Sequence, residues 1–214
     1  MVHEYNDPGC RRMSNLNLSG FLLRSAVNGP GIRTVVWVQG CPIRCRGCFN
    51  TAAWSFSPRV IITTEELTRR ILATEGIDGV TFSGGEPFAQ AGPLADVAEQ
   101  VQKAGLTVVT YSGYTYDELT TRRDPAWDKL FAATDLLIAG PYREDQACTA
   151  RFIGSANQQV ISITGRIAPE QVSPRQPDGE TVEFTIAPDG TVTTTGFPTT
   201  TMVRQIAARC RGEE

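Results

Sequence analysis

Apolar positions fall into two alternating periods along most of the chain. Leu16, Leu18, Phe21 and Leu23 begin an extended segment broken at Gly20. Thr34-Val35-Val36-Trp37-Val38 is a short β-branched and aromatic run, the pattern of a buried strand. Leu67, Ile71 and Leu72 then recur at helical spacing behind Thr63-Thr64-Glu65-Glu66, which has capping-box spacing, and predict a helix running to about Glu75. Gly79-Val80-Thr81-Phe82 predicts the next strand, closed by Gly84-Gly85. Leu94, Val97, Ala98 and Val101 mark a second helix from Gly92 to Ala104, stopped by Gly105. A strand over Leu106–Thr110, helical pieces near Tyr116–Thr121 and Trp127–Ala133, and a strand over Leu136–Ile138 follow.

This β-α-β-α-β alternation predicts a mostly parallel sheet joined by right-handed helical crossovers. Ligands in such sheets bind at the carboxyl ends of the strands. Four unusual loops directly follow predicted strands: the cysteine-rich stretch after Gly40, Gly84-Gly85-Glu86-Pro87, Ser112-Gly113 and Gly140-Pro141. The pattern therefore predicts that all four converge on one edge of the sheet.

The ends of the chain differ in character. Residues 1–15 are polar and unpatterned and read as a tail, 16–164 as the core domain, and 165–214 as an extension. Within that extension Val182–Ile186 and Thr191–Thr195 flank Pro188-Asp189-Gly190, a hairpin signal, and 201–211 suit a short terminal helix.

Composition narrows the chemistry. Among 214 residues there are six cysteines and one histidine, His3, in the polar tail. Histidine-based zinc sites, a Ser-His-Asp triad and an imidazole general base are thereby excluded from the core. A formal net charge of −3 argues against a general nucleic-acid or membrane-surface binder. The start MVHEYNDPGCRR lacks an apolar signal region, and no apolar run approaches the roughly 18 residues of a membrane span. The expected location is the cytoplasm, where thiols stay reduced, so six cysteines call for a metal, a redox role or burial.

Cys41-Pro-Ile-Arg-Cys45-Arg-Gly-Cys48 has C-x3-C-x2-C spacing. Three thiolates on one short loop suit three corners of an iron-sulfur cubane, whose ordinary form takes four cysteines. One iron is then left for another ligand. The alternative is a zinc knuckle completed by Cys148 or Cys210, although zinc loops usually pair two short C-x2–4-C units.

The cysteine motif resembles that of the radical S-adenosylmethionine (SAM) superfamily. Ser83-Gly84-Gly85-Glu86-Pro87, after a predicted strand, stands where that superfamily carries its GGEP motif. Further segments are similar to one branch, the activating proteins of anaerobic (class III) ribonucleoside-triphosphate reductase. They are Val27-Asn28-Gly29-Pro30-Gly31-Ile32-Arg33, Gly47-Cys48-Phe49-Asn50, Thr110-Tyr111-Ser112-Gly113-Tyr114-Thr115, Leu137-Ile138-Ala139-Gly140-Pro141-Tyr142 and Arg151–Gln158. The related pyruvate formate-lyase activating enzymes share the Gly-Pro-Gly-Ile-Arg loop. Gln159 and Ala139 replace the Arg and Asp usual in the branch.

The resemblance implies an α/β fold: an incomplete (β/α) barrel of the radical SAM type with a small C-terminal β-hairpin appendage. It implies one [4Fe-4S] cluster on Cys41, Cys45 and Cys48, with SAM on the open iron. SAM would lie against Gly47, Cys48, Phe49 and Asn50, with its amino end at Gly84, Gly85 and Glu86, and with Tyr111 and Ser112 as further contacts. Reductive cleavage of SAM would yield a 5′-deoxyadenosyl radical that takes a hydrogen from a glycine of a glycyl-radical enzyme, such as anaerobic ribonucleotide reductase. A flavodoxin- or ferredoxin-type protein would supply the electron, with Arg44 and Arg46 either docking it or serving as solvated loop charges. Other readings are a radical SAM enzyme acting on a small molecule or peptide, and an iron-sulfur carrier or zinc-binding module. Asn28 and Arg33 either face a substrate channel or fix the glycine-rich loop. Cys10, Cys148 and Cys210 either ligate an auxiliary cluster or are incidental thiols. Tyr111, Tyr114, Tyr116 and Phe88 suit core and cofactor contact equally.

Overall fold

The structure, a computed structural model, describes residues 14–148, 150–172, 182–186, 190 and 192–196, with the isolated positions 205 and 208. The tail before Ser14, the terminal helix expected over 201–211, and Cys10 and Cys210 thus lie outside the described residues, apart from positions 205 and 208.

Seven strands form one sheet: β1 (Asn15–Ser25), β2 (Arg33–Val38), β3 (Val60–Thr63), β4 (Gly79–Gly84), β5 (Thr107–Ser112), β6 (Leu136–Ala139) and β7 (Gln159–Ser162). Their spatial order is β3-β1-β2-β4-β5-β6-β7. The central pairs β2–β4, β4–β5 and β5–β6 are parallel, as the alternation predicts. Both margins are antiparallel, with β1 between β3 and β2, and β7 on β6. A separate antiparallel hairpin joins β8 (Val182–Ile186) to β9 (Val192–Gly196), with Ile186 opposite Val192. The architecture is therefore mixed α/β with a largely parallel centre and a C-terminal hairpin.

Two marginal strands, β3 and β7, were not expected. Each is four residues long, too short to show a period. The extended segment around Gly20 is also not broken there. It runs on to Ser25, and the register shift between Leu18 and Gly20 is absorbed as a bulge.

The helices α1 (Thr64–Leu72), α2 (Ala91–Lys103), α3 (Tyr116–Thr121) and α4 (Pro125–Ala132) fill the crossovers. Thr63 caps α1, its hydroxyl accepting from Glu66 N–H at 3.2 Å. Leu67 and Ile71 are fully buried beneath it, each contributing about 2 kcal/mol by removal from water. The main core lies on this helical side, where Val36, Val80, Phe82, Leu94, Val101 and Leu137 pack together. A smaller cluster of Val109, Leu136, Ile138, Phe152 and Ile167 covers part of the opposite side. Ile167 and Val172 pack here, so the chain beyond 164 begins as part of the domain's packing. Among the described residues, no helix is long and apolar enough to cross a membrane.

Charged groups close the amino ends of the parallel strands. Arg33 is 1% exposed, and its guanidinium donates to Thr81 Oγ1, Pro30 O, Val80 O, and both Oγ1 and O of Thr107. Burial lowers its pKa to about 10, opposed by the charges of Asp78 and Asp135. Asp135, fully buried, accepts from Val108 N–H, Gln102 and Thr164 and pairs with Arg166 at 3.3 Å. Of the two roles open to Asn28 and Arg33, the structure gives loop fixation. Asn28 donates to Ser25 Oγ and to Thr195 Oγ1 of β9, while Glu183 of β8 accepts from Ser25 Oγ at 2.6 Å. The hairpin is thus anchored at the end of the sheet opposite the cysteine loop.

Candidate functional site

The carboxyl ends of the same strands gather the expected chemistry. Gly85 N–H donates to Val38 O at 2.8 Å and Glu86 N–H to Gly40 O at 2.9 Å. These two bonds lock the glycine pair against the start of the cysteine loop. Gly84 makes the approach feasible: its φ is +101°, and a Cβ there would stand 2.6 Å from Val38 N and from Trp37 Cα. The base of the loop is fixed by glutamines. Gln39 donates to Ser55 O and Ala52 O, and Gln90 to Gln39 O and Asn17 O.

Cys41, Cys45 and Cys48 are free thiols on this loop, Cys41 8% exposed and the other two half-buried. Burial raises the pKa of Cys41 most, opposed by backbone N–H groups of Arg44 and Ile43. Burial likewise raises Cys45, opposed by the backbone N–H of Tyr142. The N–H of Asn50 donates to Cys48 Sγ at 3.4 Å. The neighbouring Cys48 also raises Cys41 and Cys45, and Cys41 raises Cys45, since thiolates close together repel. Bound cationic iron reverses that repulsion, and N–H donors to sulfur are a normal surrounding of such clusters. Among the described residues, no three His, Cys, Asp or Glu side chains are gathered as around one metal ion. A cluster taking one thiolate per iron needs its sulfurs farther apart than a single ion does. The donor set is sulfur alone, and it fits a [4Fe-4S] group with three protein ligands.

The loop after β6 covers this one. Tyr142 stacks at a tilt on Phe49, ring centroids 5.6 Å apart, and Glu144 pairs with Arg46 at 3.5 Å. Phe49 is 56% exposed, leaving an aromatic face open beside Cys48. From the β5 side, Gly113 lies under Ile43, where a Cβ would stand 2.6 Å from Ile43 Cδ1. The loop contacts of Ile43, Tyr142 and Glu144 are invisible in the sequence, where only the Gly-Pro-Tyr motif marked Tyr142.

The expected SAM contacts divide into two groups. Gly47, Cys48, Phe49, Asn50, Gly84 and Gly85 are partly or well exposed at the rim. Glu86 and Ser112 are 1% and 5% exposed. Glu86 accepts from Phe88 N–H, Ser112 Oγ and Gly113 N–H, and burial raises its carboxyl to about 7 despite these bonds. Tyr111 packs its ring on the smaller core cluster, and burial pushes its phenol well above the ordinary range. Phe88 and Tyr114 pack on Trp127, with centroids 5.2 and 4.7 Å away, as core residues. Tyr116 stays partly exposed beside Phe131. Cys148 is half-buried and free. A cavity of about 630 Å³ lies elsewhere, among α1, α2 and α4, and its Lys129 is already paired with Asp96 and Glu99.

A mixed α/β sheet with a three-thiol loop clamped to a glycine pair at its carboxyl edge defines an iron-sulfur domain of one cluster. Residues 27–161 match the 4Fe-4S single cluster domain family, and the chain belongs to that family. The chain is 32% identical over 149 residues to the anaerobic ribonucleoside-triphosphate reductase-activating protein of Vibrio cholerae, covering 64% of this chain and 92% of that protein. It is 35% identical over 118 residues to the pyruvate formate-lyase-activating enzyme of Clostridium pasteurianum, covering 52% of this chain and 46% of that one. It is 28% identical over 152 residues to the pyruvate formate-lyase 1-activating enzyme of Escherichia coli, covering 68% and 60%. The chain thus spans only about half the length of these pyruvate formate-lyase-activating relatives.

Proposed function

We propose that the chain is a radical SAM enzyme that cleaves S-adenosylmethionine reductively to a 5′-deoxyadenosyl radical and installs a glycyl radical on a partner enzyme such as anaerobic ribonucleotide reductase. The observation that carries this reading is the pair of main-chain bonds, Gly85 N–H to Val38 O and Glu86 N–H to Gly40 O, that fixes a glycine rim beside three thiols. In this reading Cys41, Cys45 and Cys48 hold a [4Fe-4S] cluster, which supplies one electron to the sulfonium of SAM. The Gly84–Gly85 backbone receives the amino-acid end, and Gly47, Cys48, Phe49 and Asn50 receive the nucleoside. Phe49 and Tyr142 wall that side and limit water access, which a radical reaction requires. A flavodoxin- or ferredoxin-type protein approaches the exposed Arg44 and Arg46. The sheet is the incomplete barrel of the radical SAM type, and the chain works in the cytoplasm.

The test is anaerobic reconstitution with iron and sulfide, reduction, and analysis of products. The full chain is expected to form methionine and 5′-deoxyadenosine, and Cys45→Ala to form neither. With a glycyl-radical enzyme encoded nearby, electron paramagnetic resonance should show a glycine-centred radical. Bound zinc without SAM cleavage overturns the proposal.

A further inference from the structure

Glu86 occupies an unusual setting for a group expected to meet a ligand. Its carboxylate is 1% exposed. Oε1 accepts from Phe88 N–H at 3.0 Å and from Ser112 Oγ at 3.0 Å, and Oε2 accepts from Gly113 N–H at 2.8 Å. No Lys or Arg of the described residues forms an ion pair with it. The titratable groups it interacts with are Cys41 and Tyr114. The bond to Gly113 has a consequence across the loop. Gly113 is roofed by Ile43, and a Cβ there would stand 2.6 Å from Ile43 Cδ1 and 3.5 Å from Glu86 Oε2. Ile43 lies between Cys41 and Cys45. The carboxylate therefore lies beneath the cysteine loop, and the backbone of Gly84 and Gly85 forms the rim.

We infer that Glu86 is a positioning residue: it holds Gly113 under Ile43, and so fixes the Cys41–Cys48 loop, while the ligand's amino group is left to the Gly84–Gly85 backbone. The inference rests on the reading of this site as a SAM site. It assigns the glutamate to the architecture of the cysteine loop. Breaking the Glu86–Gly113 bond then loosens the loop as a whole, affecting every ligand that leans on it, with or without an amino group.

Two readouts test it on the full chain. In the cluster-free protein, the rate at which a maleimide labels Cys41 reports loop closure directly. Glu86→Gln sets an amide donor against one of the two backbone N–H groups, of Phe88 or of Gly113, that the carboxylate serves together, and should speed labelling roughly tenfold, as expected for loss of one buried hydrogen bond. Gly113→Ala should do the same by pushing Ile43 away. Adding Ile43→Val, which removes Cδ1, should restore slow labelling, so a folded variant pair tests the contact even if Glu86→Gln misfolds. In the reconstituted protein, affinities for S-adenosylhomocysteine and 5′-methylthioadenosine separate the roles, since only the first carries the amino-acid end. Glu86→Gln should weaken both by a similar factor. Selective loss of S-adenosylhomocysteine with unchanged Cys41 labelling overturns the inference and makes Glu86 a direct ligand. If the wild-type protein binds neither nucleoside, the SAM reading fails, and labelling alone decides the role of Glu86.

Discussion

The two ends of the parallel strands share the same sheet but treat buried polar groups in opposite ways. At the amino ends, Arg33 uses all five donors on neutral oxygens, and Asp135 is met by two amide donors, a hydroxyl and a guanidinium. Among the described residues, the Arg33 guanidinium keeps no donor there for a ligand. At the carboxyl ends, a carboxylate is buried with no cation paired to it among the described residues, thiolates on one loop would repel one another, and an aromatic side chain lies open to solvent. The first end is built for stability and the second for a guest, because thiolates crowded on one loop and an uncovered aromatic ring are relieved only by something bound there.

Breaking the amino-end clamp should cost most. Arg33→Ala strands several buried oxygens and is expected to lower stability by about 3–5 kcal/mol in urea unfolding, and Arg33→Lys should recover only part of this. At the other end the largest effect depends on pH. The folded Glu86 carboxyl keeps its proton up to about pH 7, whereas the unfolded one loses it near its ordinary value of 4.5. Stability from this group is therefore greatest below pH 4.5 and declines as pH rises towards 7, by about 3 kcal/mol in all. The cluster-free chain should unfold more readily at pH 8 than at pH 5, and Glu86→Gln should flatten the difference. A profile that rises with pH in the wild type and is unchanged in the variant would contradict the assignment.

Smaller effects sharpen the contrast. Asn28→Ala removes the contact with Thr195 and should cost about 1–2 kcal/mol, read as faster amide exchange in the hairpin while the cysteine loop is unaffected. Cys45→Ala should change the cluster-free stability by less than about 1 kcal/mol while abolishing SAM cleavage. The least costly substitution would then be the most damaging to function.

Long periodic elements are legible directly. The Leu94, Val97, Ala98 and Val101 spacing predicts a helix over Gly92–Ala104 and the structure has one over Ala91–Lys103, and Thr63 caps α1 as the Thr-Thr-Glu-Glu spacing predicts. The hairpin flanking Pro188-Asp189-Gly190 also formed. The short margins were illegible: four-residue strands such as Gln159–Ser162 become strands only because β6 offers them an edge. At the site, the cysteine spacing and the Gly-Gly pair were legible because they are local. The partners of Glu86 were not, since Ser112 and Gly113 lie 26 and 27 residues away.

The sequence by itself determined the donor set, three closely spaced thiols without an imidazole, and the order of strands and helices that sends four special loops to one edge. Only the tertiary structure decided what each polar side chain does there. Arg33 was turned into a clamp, the hairpin was anchored at the far end, and the Glu86 carboxylate was sealed under the cysteine loop. The reason is physical: spacing along a chain fixes which groups share one loop, whereas burial and hydrogen-bond partners arise between segments that the sequence holds far apart.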